Sequence, residues 1–238
     1  MKVLILAGGL ATRMGYLTRN IPKSLLPINN IPFAQYQINF FKKQGFVNFV
    51  FLIGHYGSLI QEYFSDGSKL GVNIEYSDDG IHPIGTYNAI FNALKIVNES
   101  FIVVYGDSYI NTNIVDFISS YKKNKYRNLM AIIKNNYFYE SSNVKLLDNK
   151  LIKYNKKIKS YDMKYIDYGI SVFNKEDYIS KKNCFIDLSD FMEHISNENN
   201  LFGYDVKAEQ IYEIGSKQGY NNFIDYVVNN EDKFNDIC

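Results

Sequence analysis

The amino terminus constrains the fold most, because a short apolar strand runs directly into a glycine turn. Residues 3–6 are apolar and β-rich, and Gly8 and Gly9 follow them. Glycines let the backbone approach a ligand closely and direct its N–H groups at phosphate oxygens. Arg13 then adds a planar guanidinium and Lys23 a compact ammonium, both of which suit phosphate. This stretch predicts a phosphate-binding loop after the first strand.

Two common types of glycine-rich loop do not match this stretch. It lacks the Gly-Lys-Ser/Thr ending of a P-loop and the three-glycine spacing of a dinucleotide-binding fingerprint. Arginine is also rare: of 26 Lys and Arg, the arginines are Arg13, Arg19 and Arg127. Two of them lie in the first twenty residues, which favours a bidentate role for arginine there.

Composition narrows the class of protein. With 238 residues and 46% hydrophobic content, the chain can form one domain with a substantial core. A net charge of +1 without a basic block argues against a nucleic-acid partner. There is no apolar run of about 18 residues, so no membrane partner is expected. Two cysteines do not make a disulfide framework or a zinc site. Without a recognisable leader, we expect a cytoplasmic protein.

Short β-rich runs alternate with helical periodicity in the first half, which predicts an α/β fold. Strands are expected at 3–6, 49–53, 72–76, 101–105 and near 129–134, helices at 33–44, 86–97, 114–123 and 217–228, and a hairpin at 144–154. The second half is expected to be more antiparallel. The polar tail from Asn229 is expected to fray.

The stretch LAGGLATRMGYLTRNIPKSLLP at 6–27 resembles the signature of the sugar-phosphate nucleotidyltransferases, which make NDP-sugars from a nucleoside triphosphate and a sugar 1-phosphate. The resemblance implies a Rossmann-like three-layer αβα sandwich with a mixed, mostly parallel central sheet. It implies a single domain over 1–238, with a nucleotide-binding part at about 1–110 and a sugar-phosphate-binding part at about 111–238. The short hexose and heptose 1-phosphate enzymes are the most similar type, and a homodimer is one expected state.

The same resemblance implies roles for residues of the first half. Arg13 and Lys23 are expected to be catalytic. The run Pro83-Ile-Gly-Thr86 is similar to the family's Pro-Leu-Gly-Thr element, with Tyr87 and Asn88 where smaller residues are usual. The expected nucleotide-binding residues are Leu6, Ala7, Gly8, Gly9, Arg13, Lys23, Gly85 and Thr86.

A magnesium site is expected at the end of the predicted strand 101–105. Asp107 follows Gly106 there, at the strand end where open α/β sheets bind ligands, and resembles the family's metal-binding aspartate. Glu213, before Ile-Gly, is the expected second carboxylate. Magnesium takes one or two protein carboxylates and fills its shell with water and phosphate oxygens. The alternatives are a loop-capping Asp107 and a solvated Glu213.

The second substrate is assigned to later segments by the same resemblance. Lys156 is expected to bind the sugar phosphate and Asp167 to accept hydrogen bonds from sugar hydroxyls. The chain departs from the family pattern at Asn155, before Lys156, and at Asp167-Tyr168, before Gly169. The full set of expected substrate-binding residues is Tyr105, Gly106, Asn143, Lys156, Asp167 and Gly169.

The expected reaction is attack by the sugar 1-phosphate on the α-phosphorus of a nucleoside triphosphate, with release of pyrophosphate. Neither the base nor the sugar is fixed by the sequence, although GTP and a hexose or heptose, for surface polysaccharide precursors, suit the resemblance. Two alternatives stay open: a cytidylyltransferase acting on a non-sugar phosphate, and a non-catalytic module that binds nucleotide sugars.

Overall fold

A computed structural model describes residues 1–9, 12–125, 127–135, 141–207, 211–234 and 237; of residues 12, 13 and 149 it describes the backbone alone. The strands are β1 (Lys2–Leu6), β2 (Pro27–Ile28), β3 (Ile31–Pro32), β4 (Asn48–Ile53), β5 (Asn73–Asp78), β6 (Phe101–Tyr105), β7 (Ser108–Tyr109), β8 (Asn128–Lys134), β9 (Val144–Leu146), β10 (Ile152–Tyr154), β11 (Tyr165–Phe173), β12 (Leu201–Asp205) and β13 (Tyr212–Glu213). The α-helices are α1 (Phe33–Lys42), α2 (Gly57–Phe64), α3 (Thr86–Ala93), α4 (Ile114–Lys123), α5 (Lys175–Ser180), α6 (Leu188–Asn197), α7 (Lys217–Val228) and α8 (Glu231–Phe234).

The chain divides into two compact units. The first unit comprises Lys2–Pro83, Val104–Asn111 and Gln210–Cys238, and the second comprises Ile84–Val103 and Thr112–Glu209, with Met1. The boundary passes through β6. Each unit therefore draws on separate stretches of the sequence.

The first unit contains parallel strands. β1 pairs with β4, Val3 lying opposite Phe49, and β4 pairs with β5 in the same direction. Their carboxyl ends lie on one edge, where open α/β sheets place ligands. Beside the sheet, Phe33 of α1 meets Phe223 of α7 edge to edge at 5.2 Å between ring centroids. The aromatic side of α1 is thus core, as its 3.6-residue period predicts.

The second unit is mixed. β11 is antiparallel to β8 and β9, β9 and β10 form the predicted hairpin, and β12 runs parallel to β8. Its core is aromatic: Tyr87 stacks on Tyr178 at 4.5 Å between centroids, and Phe191 packs against both rings. The prediction of an α/β fold with a mixed sheet and flanking helices is confirmed.

The expected frayed tail is wrong for its described part. Residues 231–234 form α8, and Phe234 is 7% exposed. Its ring meets Tyr36 of α1 edge to edge at 5.4 Å. Burial of this aromatic side chain offsets the entropy that ordering a polar segment costs.

Candidate active site

The glycine turn after β1 lies where three loops of the first unit approach one another. An added Cβ on Gly8 would lie 3.3 Å from the Gly54 nitrogen, and one on Gly54 would lie 3.3 Å from the Gly80 oxygen. Each glycine follows a parallel strand, β1, β4 or β5. A Cβ on Gly9, in contrast, would meet no described atom within 4 Å. The strand edge is therefore lined by backbone, and Gly9 borders open space.

The turn that carries Asp107 is held tightly against the end of β1. The Gly106 amide donates to the Leu6 carbonyl at 3.2 Å, and a Cβ on Gly106 would lie only 2.2 Å from that oxygen. The Ile214 amide donates to the Asp107 carbonyl at 2.8 Å. Glycine is required at 106 because any side chain would separate the Asp107 turn from β1.

Lys23 and Asp107 form an ion pair. Lys23 opens a short 3₁₀ helix after Pro22, and its Nζ donates to Asp107 Oδ2 at 2.8 Å. The two side chains are 17% and 28% exposed, so water still reaches the pair. The structure thus brings together two of the residues selected from the sequence, which lie 84 positions apart.

Glu213 lies beside the same carboxylate. β13 pairs with β7 so that Glu213 is opposite Ser108, the neighbour of Asp107. A Cβ on Gly215 would lie 3.4 Å from Asp107 Oδ2 and 3.8 Å from each Glu213 carboxylate oxygen. Both carboxylates therefore border the small space that glycine leaves at 215.

This donor set fits magnesium. Two carboxylates and adjoining space match a hard cation that completes its shell with water and phosphate oxygens. No group of three or more His, Cys, Asp or Glu able to hold a metal occurs within the described ranges.

The other selected residues of this unit are Leu6, Ala7, Arg13 and Tyr105. Leu6 ends β1 and Ala7 follows it, and the Ala7 amide donates to the Leu52 carbonyl at 2.9 Å. The backbone of Arg13 lies in the 3₁₀ helix Thr12–Thr18, but its side chain is outside the described residues. Tyr105 is partly buried and ends β6, directly before Gly106.

Gly85 and Thr86 lie in the second unit, at the start of α3. Gly85 has φ of +87°, and a Cβ there would lie 2.4 Å from the Ile186 side chain. The Thr86 hydroxyl accepts from the Leu188 amide at 2.8 Å and so caps α6. Tyr87 is fully buried, and its hydroxyl donates to the Tyr178 and Lys181 carbonyls. The side chains of Thr86 and Tyr87 are thus engaged within the unit.

Asn143, Asp167 and Gly169 form one hydrogen-bonded cluster in the second unit. The register of β11 on β8 shifts between Asp167 and Ser171, and Gly169 takes φ of +88° in that bulge. Asp167 Oδ1 accepts from the Gly169 amide at 2.9 Å, while Asn143 Oδ1 accepts from the Asp167 amide at 3.0 Å. Bulges of this kind redirect side chains next to binding sites. The side chains of Asp167 and Asn143 are therefore fixed in place.

Tyr154 is buried near this cluster. It is 2% exposed, and no described residue hydrogen-bonds its hydroxyl. Burial raises its pKa well above the usual value, and the carboxylates of Asp167, Glu193 and Asp190 raise that pKa further. The side chain is neutral at physiological pH and lies in acidic surroundings.

Lys156 is exposed beyond the end of β10. Its neighbour Lys157 donates to Asp190 Oδ1 at 2.7 Å, and Asn155 donates to Glu193 Oε1 at 2.8 Å. The loop is thus anchored by the residues on either side of Lys156.

Sequence reasoning missed Gly54 and Gln37. A glycine directly after the β-rich run 49–53 was a usable signal for Gly54. Gln37 offered none, because its hydrogen-bond partners lie 68 and 71 positions away.

Comparison with known proteins identifies the class. The nucleotidyl transferase family matches residues 2–176, and the chain therefore belongs to that family. The resemblance of residues 6–27 to the sugar-phosphate nucleotidyltransferases is confirmed. In structure, HddC from Yersinia pseudotuberculosis superposes with a TM-score of 0.80 at 20% identity, covering 94% of this chain and 98% of that one, which shows the shared fold.

The relatives match different shares of the chain. A D-glycero-alpha-D-manno-heptose 1-phosphate guanylyltransferase of Campylobacter jejuni is 32% identical over 152 residues, which is 64% of this chain and 66% of the relative. The choline-phosphate cytidylyltransferase of Streptococcus pneumoniae is 25% identical over 97% of this chain and its own full length. Against two further relatives the match spans only 34% of their length.

Among the described residues, no helix is long and apolar enough to cross a membrane.

Proposed function

We propose that this protein condenses a nucleoside triphosphate with a sugar 1-phosphate to give an NDP-sugar and pyrophosphate. The observation that carries the proposal is the meeting of Lys23, Asp107 and Glu213 beside the end of β1. One cation and two carboxylates at a glycine-lined strand edge suit a metal-bound triphosphate. Membership of the nucleotidyl transferase family supports the reaction type.

The chemistry needs no general base, because the attacking phosphate oxygen is already anionic. Catalysis then rests on alignment and on neutralising charge at the α-phosphorus. The glycine turn at Gly8 and Gly9 would offer backbone N–H groups to the triphosphate. Lys23 would neutralise the two phosphates as they approach, and Arg13 is proposed to hold the leaving β- and γ-phosphates.

Asp107 and Glu213 would hold Mg²⁺ in this proposal. When bound, the ion supplies charge compensation for the pyrophosphate leaving group. Lys23 would exchange Asp107 Oδ2 for phosphate oxygens when substrate enters, since the ammonium can donate to either. We place Leu6, Ala7, Gly85 and Thr86 with the nucleotide, and Tyr105 and Gly106 with the second substrate.

The second unit is proposed to select the sugar. Asp167 is fixed in the β11 bulge with Asn143, and carboxylate and amide oxygens accept hydrogen bonds from hydroxyl groups. Exposed Lys156 is proposed to bind the sugar phosphate. The guanylyltransferase names of two relatives favour GTP and a heptose 1-phosphate, with a hexose 1-phosphate as the other proposed sugar substrate. We propose that the product supplies surface polysaccharide synthesis and is made in the cytoplasm.

A cytidylyltransferase acting on an alcohol or amine phosphate is the second candidate. It is favoured by the relative that this chain covers end to end, a choline-phosphate cytidylyltransferase. The acidic residues near Tyr154 would also suit an amine cation.

A substrate matrix separates these functions. The five common nucleoside triphosphates would be paired with hexose 1-phosphates, heptose 1-phosphates and choline phosphate, and pyrophosphate release measured with Mg²⁺. Release with a sugar 1-phosphate is expected, whereas release only with choline phosphate and CTP would select the second candidate. Nucleotide-sugar binding without any release would indicate a non-catalytic module.

A further inference from the structure

Gln37 closes the turn that carries Asp107. This side chain on α1 is 1% exposed, and its Nε2 donates to the Tyr105 carbonyl at 2.9 Å and to the Ser108 carbonyl at 2.7 Å. Those two carbonyls flank Gly106 and Asp107 on either side. A single primary amide therefore bridges the two ends of the turn.

The chemistry of the bridge requires an amide nitrogen. Both partners are carbonyl oxygens, which only accept, so the –NH₂ group with its two hydrogens must face them. The oxygen of the same amide makes no described hydrogen bond: Oε1 of Gln37 is buried, and no described residue donates to it. A buried acceptor without a partner costs stability, and an apolar side chain of similar length would avoid that cost. Packing alone does not explain a glutamine at this position.

We propose that Gln37 is a positioning residue that sets the metal affinity of the Asp107 carboxylate. The inference rests on the proposed function in taking Asp107 as a magnesium ligand. Gly106 ties one side of the turn to β1, and Ile214 ties the Asp107 carbonyl to the strand end beside Glu213. Gln37, on α1, fixes the distance between the Tyr105 and Ser108 carbonyls. Magnesium demands near-octahedral geometry at short distances, so a small displacement of the carboxylate weakens binding.

Without the amide, two desolvated carbonyls would lose their donor. The turn would then shift toward water to satisfy them, and the Asp107 carboxylate would move with it. Residues that orient metal ligands typically contribute about 10–100-fold to metal affinity. We expect a change at the lower end, about tenfold, because Gly106 and Ile214 still hold the turn.

Gln35 offers a matched control. It lies on the same helix two residues earlier, is 8% exposed, and donates through Nε2 to the Ile237 carbonyl at 2.9 Å. Gln35→Met and Gln37→Met therefore remove the same chemical group from the same helix. Both should lower the melting temperature, and only Gln37→Met should alter the metal site.

The test is Mn²⁺ binding, followed by electron paramagnetic resonance, together with the Mg²⁺ concentration that half-saturates pyrophosphate release. Gln37→Met should raise the Mn²⁺ dissociation constant about tenfold over wild type, and Gln35→Met should leave it unchanged. Equal constants for the two variants would overturn the inference. If Gln37→Met does not fold, Gln37→Leu, which lacks the two donors and adds no charge, replaces it in the same comparison, with Gln35→Leu as its control.

The binding measurement keeps this inference distinct from the proposed function. Wild type that binds Mn²⁺ but releases no pyrophosphate with any substrate pair would contradict the proposed function, while the two glutamine variants would still decide the role of Gln37. Wild type that binds no Mn²⁺ would overturn the positioning role.

Discussion

The two units differ in how their selected residues are arranged. In the first unit, Lys23, Asp107 and Glu213 come from three distant stretches and converge beside one strand end. In the second unit, hydrogen bonds join Asn143, Asp167 and Gly169 at the β11 bulge, and Lys156 is exposed. The first arrangement concentrates opposite charges, whereas the second fixes neutral and acidic acceptors. Charge neutralisation suits the chemical step, and fixed acceptors suit the selection of a substrate.

Loss of Lys23 should have the largest effect. Lys23→Ala removes the cation from the site while leaving the buried core intact, and turnover should fall by about 10²–10³, as for loss of a preorganised electrostatic donor. Circular dichroism and pyrophosphate release would be measured together. Lys42→Ala, which removes a lysine bonded to the Leu70 carbonyl in the same unit, is the control. A folded Lys23→Ala protein with normal turnover would remove this residue from the mechanism.

The two carboxylates should come next. Asp107→Asn keeps the size of the side chain but removes its charge, so we expect turnover about 10²-fold lower and a higher Mg²⁺ requirement. Glu213→Gln should change the same quantities in the same direction by about tenfold. Magnesium titrations of pyrophosphate release measure both. An unchanged titration for Asp107→Asn would show that the convergence in the first unit does not bind metal.

In the second unit, Asp167→Ala should raise the KM for the sugar 1-phosphate by at least about tenfold, since a hydrogen bond to a charged acceptor contributes roughly 1.5–3 kcal/mol. Nucleotide affinity, measured by isothermal titration, should stay near wild type. Asp167→Asn is a second informative variant, because it keeps an oxygen for the Gly169 amide and removes only the charge. It therefore distinguishes the effect of the lost charge from that of a distorted bulge. An equal loss of affinity for the sugar 1-phosphate and for the nucleotide would contradict the assignment of sugar selection to the second unit.

The smallest effect concerns Tyr154 and stability. Its hydroxyl is buried without a described partner, so Tyr154→Phe should raise the free energy of unfolding by about 1 kcal/mol at pH 7. Because the folded pKa lies above the unfolded value of about 10, wild type loses stability as pH rises above that unfolded value. The advantage of the variant should therefore grow in alkaline solution. Urea unfolding at pH 7 and pH 10.5 checks it, and a variant less stable at both would contradict the burial argument.

Sequence periodicity predicted most elements because the signal is local. The strand 101–105 and the helices 114–123 and 217–228 agree with β6, α4 and α7 to the residue, and α1 ends two residues before its expected end. The elements that were not predicted are α2, α5, α6, α8, β2, β3, β7, β11, β12 and β13. The order of the tail was missed since Phe234 is an isolated apolar residue, and its burial depends on Tyr36, far away in the chain.

For the candidate site, the sequence predicted residues but not their spatial arrangement. Gly8, Lys23 and Asp107 belong to short motifs whose residue types imply phosphate and metal chemistry. Pairing between distant strands and helices determines the rest: the 2.8 Å contact between Lys23 and Asp107, the space at Gly215 and the hydrogen bonds from Gln37. No local pattern encodes those distances. The bulge at Gly169 likewise arises from the register of β11 on β8.

The division of the chain into units also sets an order for biosynthesis. Residues 2–83 of the first unit precede the main stretches of the second unit along the chain, yet the first unit lacks Ile214, Phe223 and Val227 of its core until the segment that contains them emerges from the ribosome. The second unit, whose main stretches end at Glu209, can gather its strands earlier. The unit whose synthesis starts first is thus completed last. Since Glu213 belongs to the same segment, the pair of carboxylates forms only after both main stretches of the second unit have been synthesised.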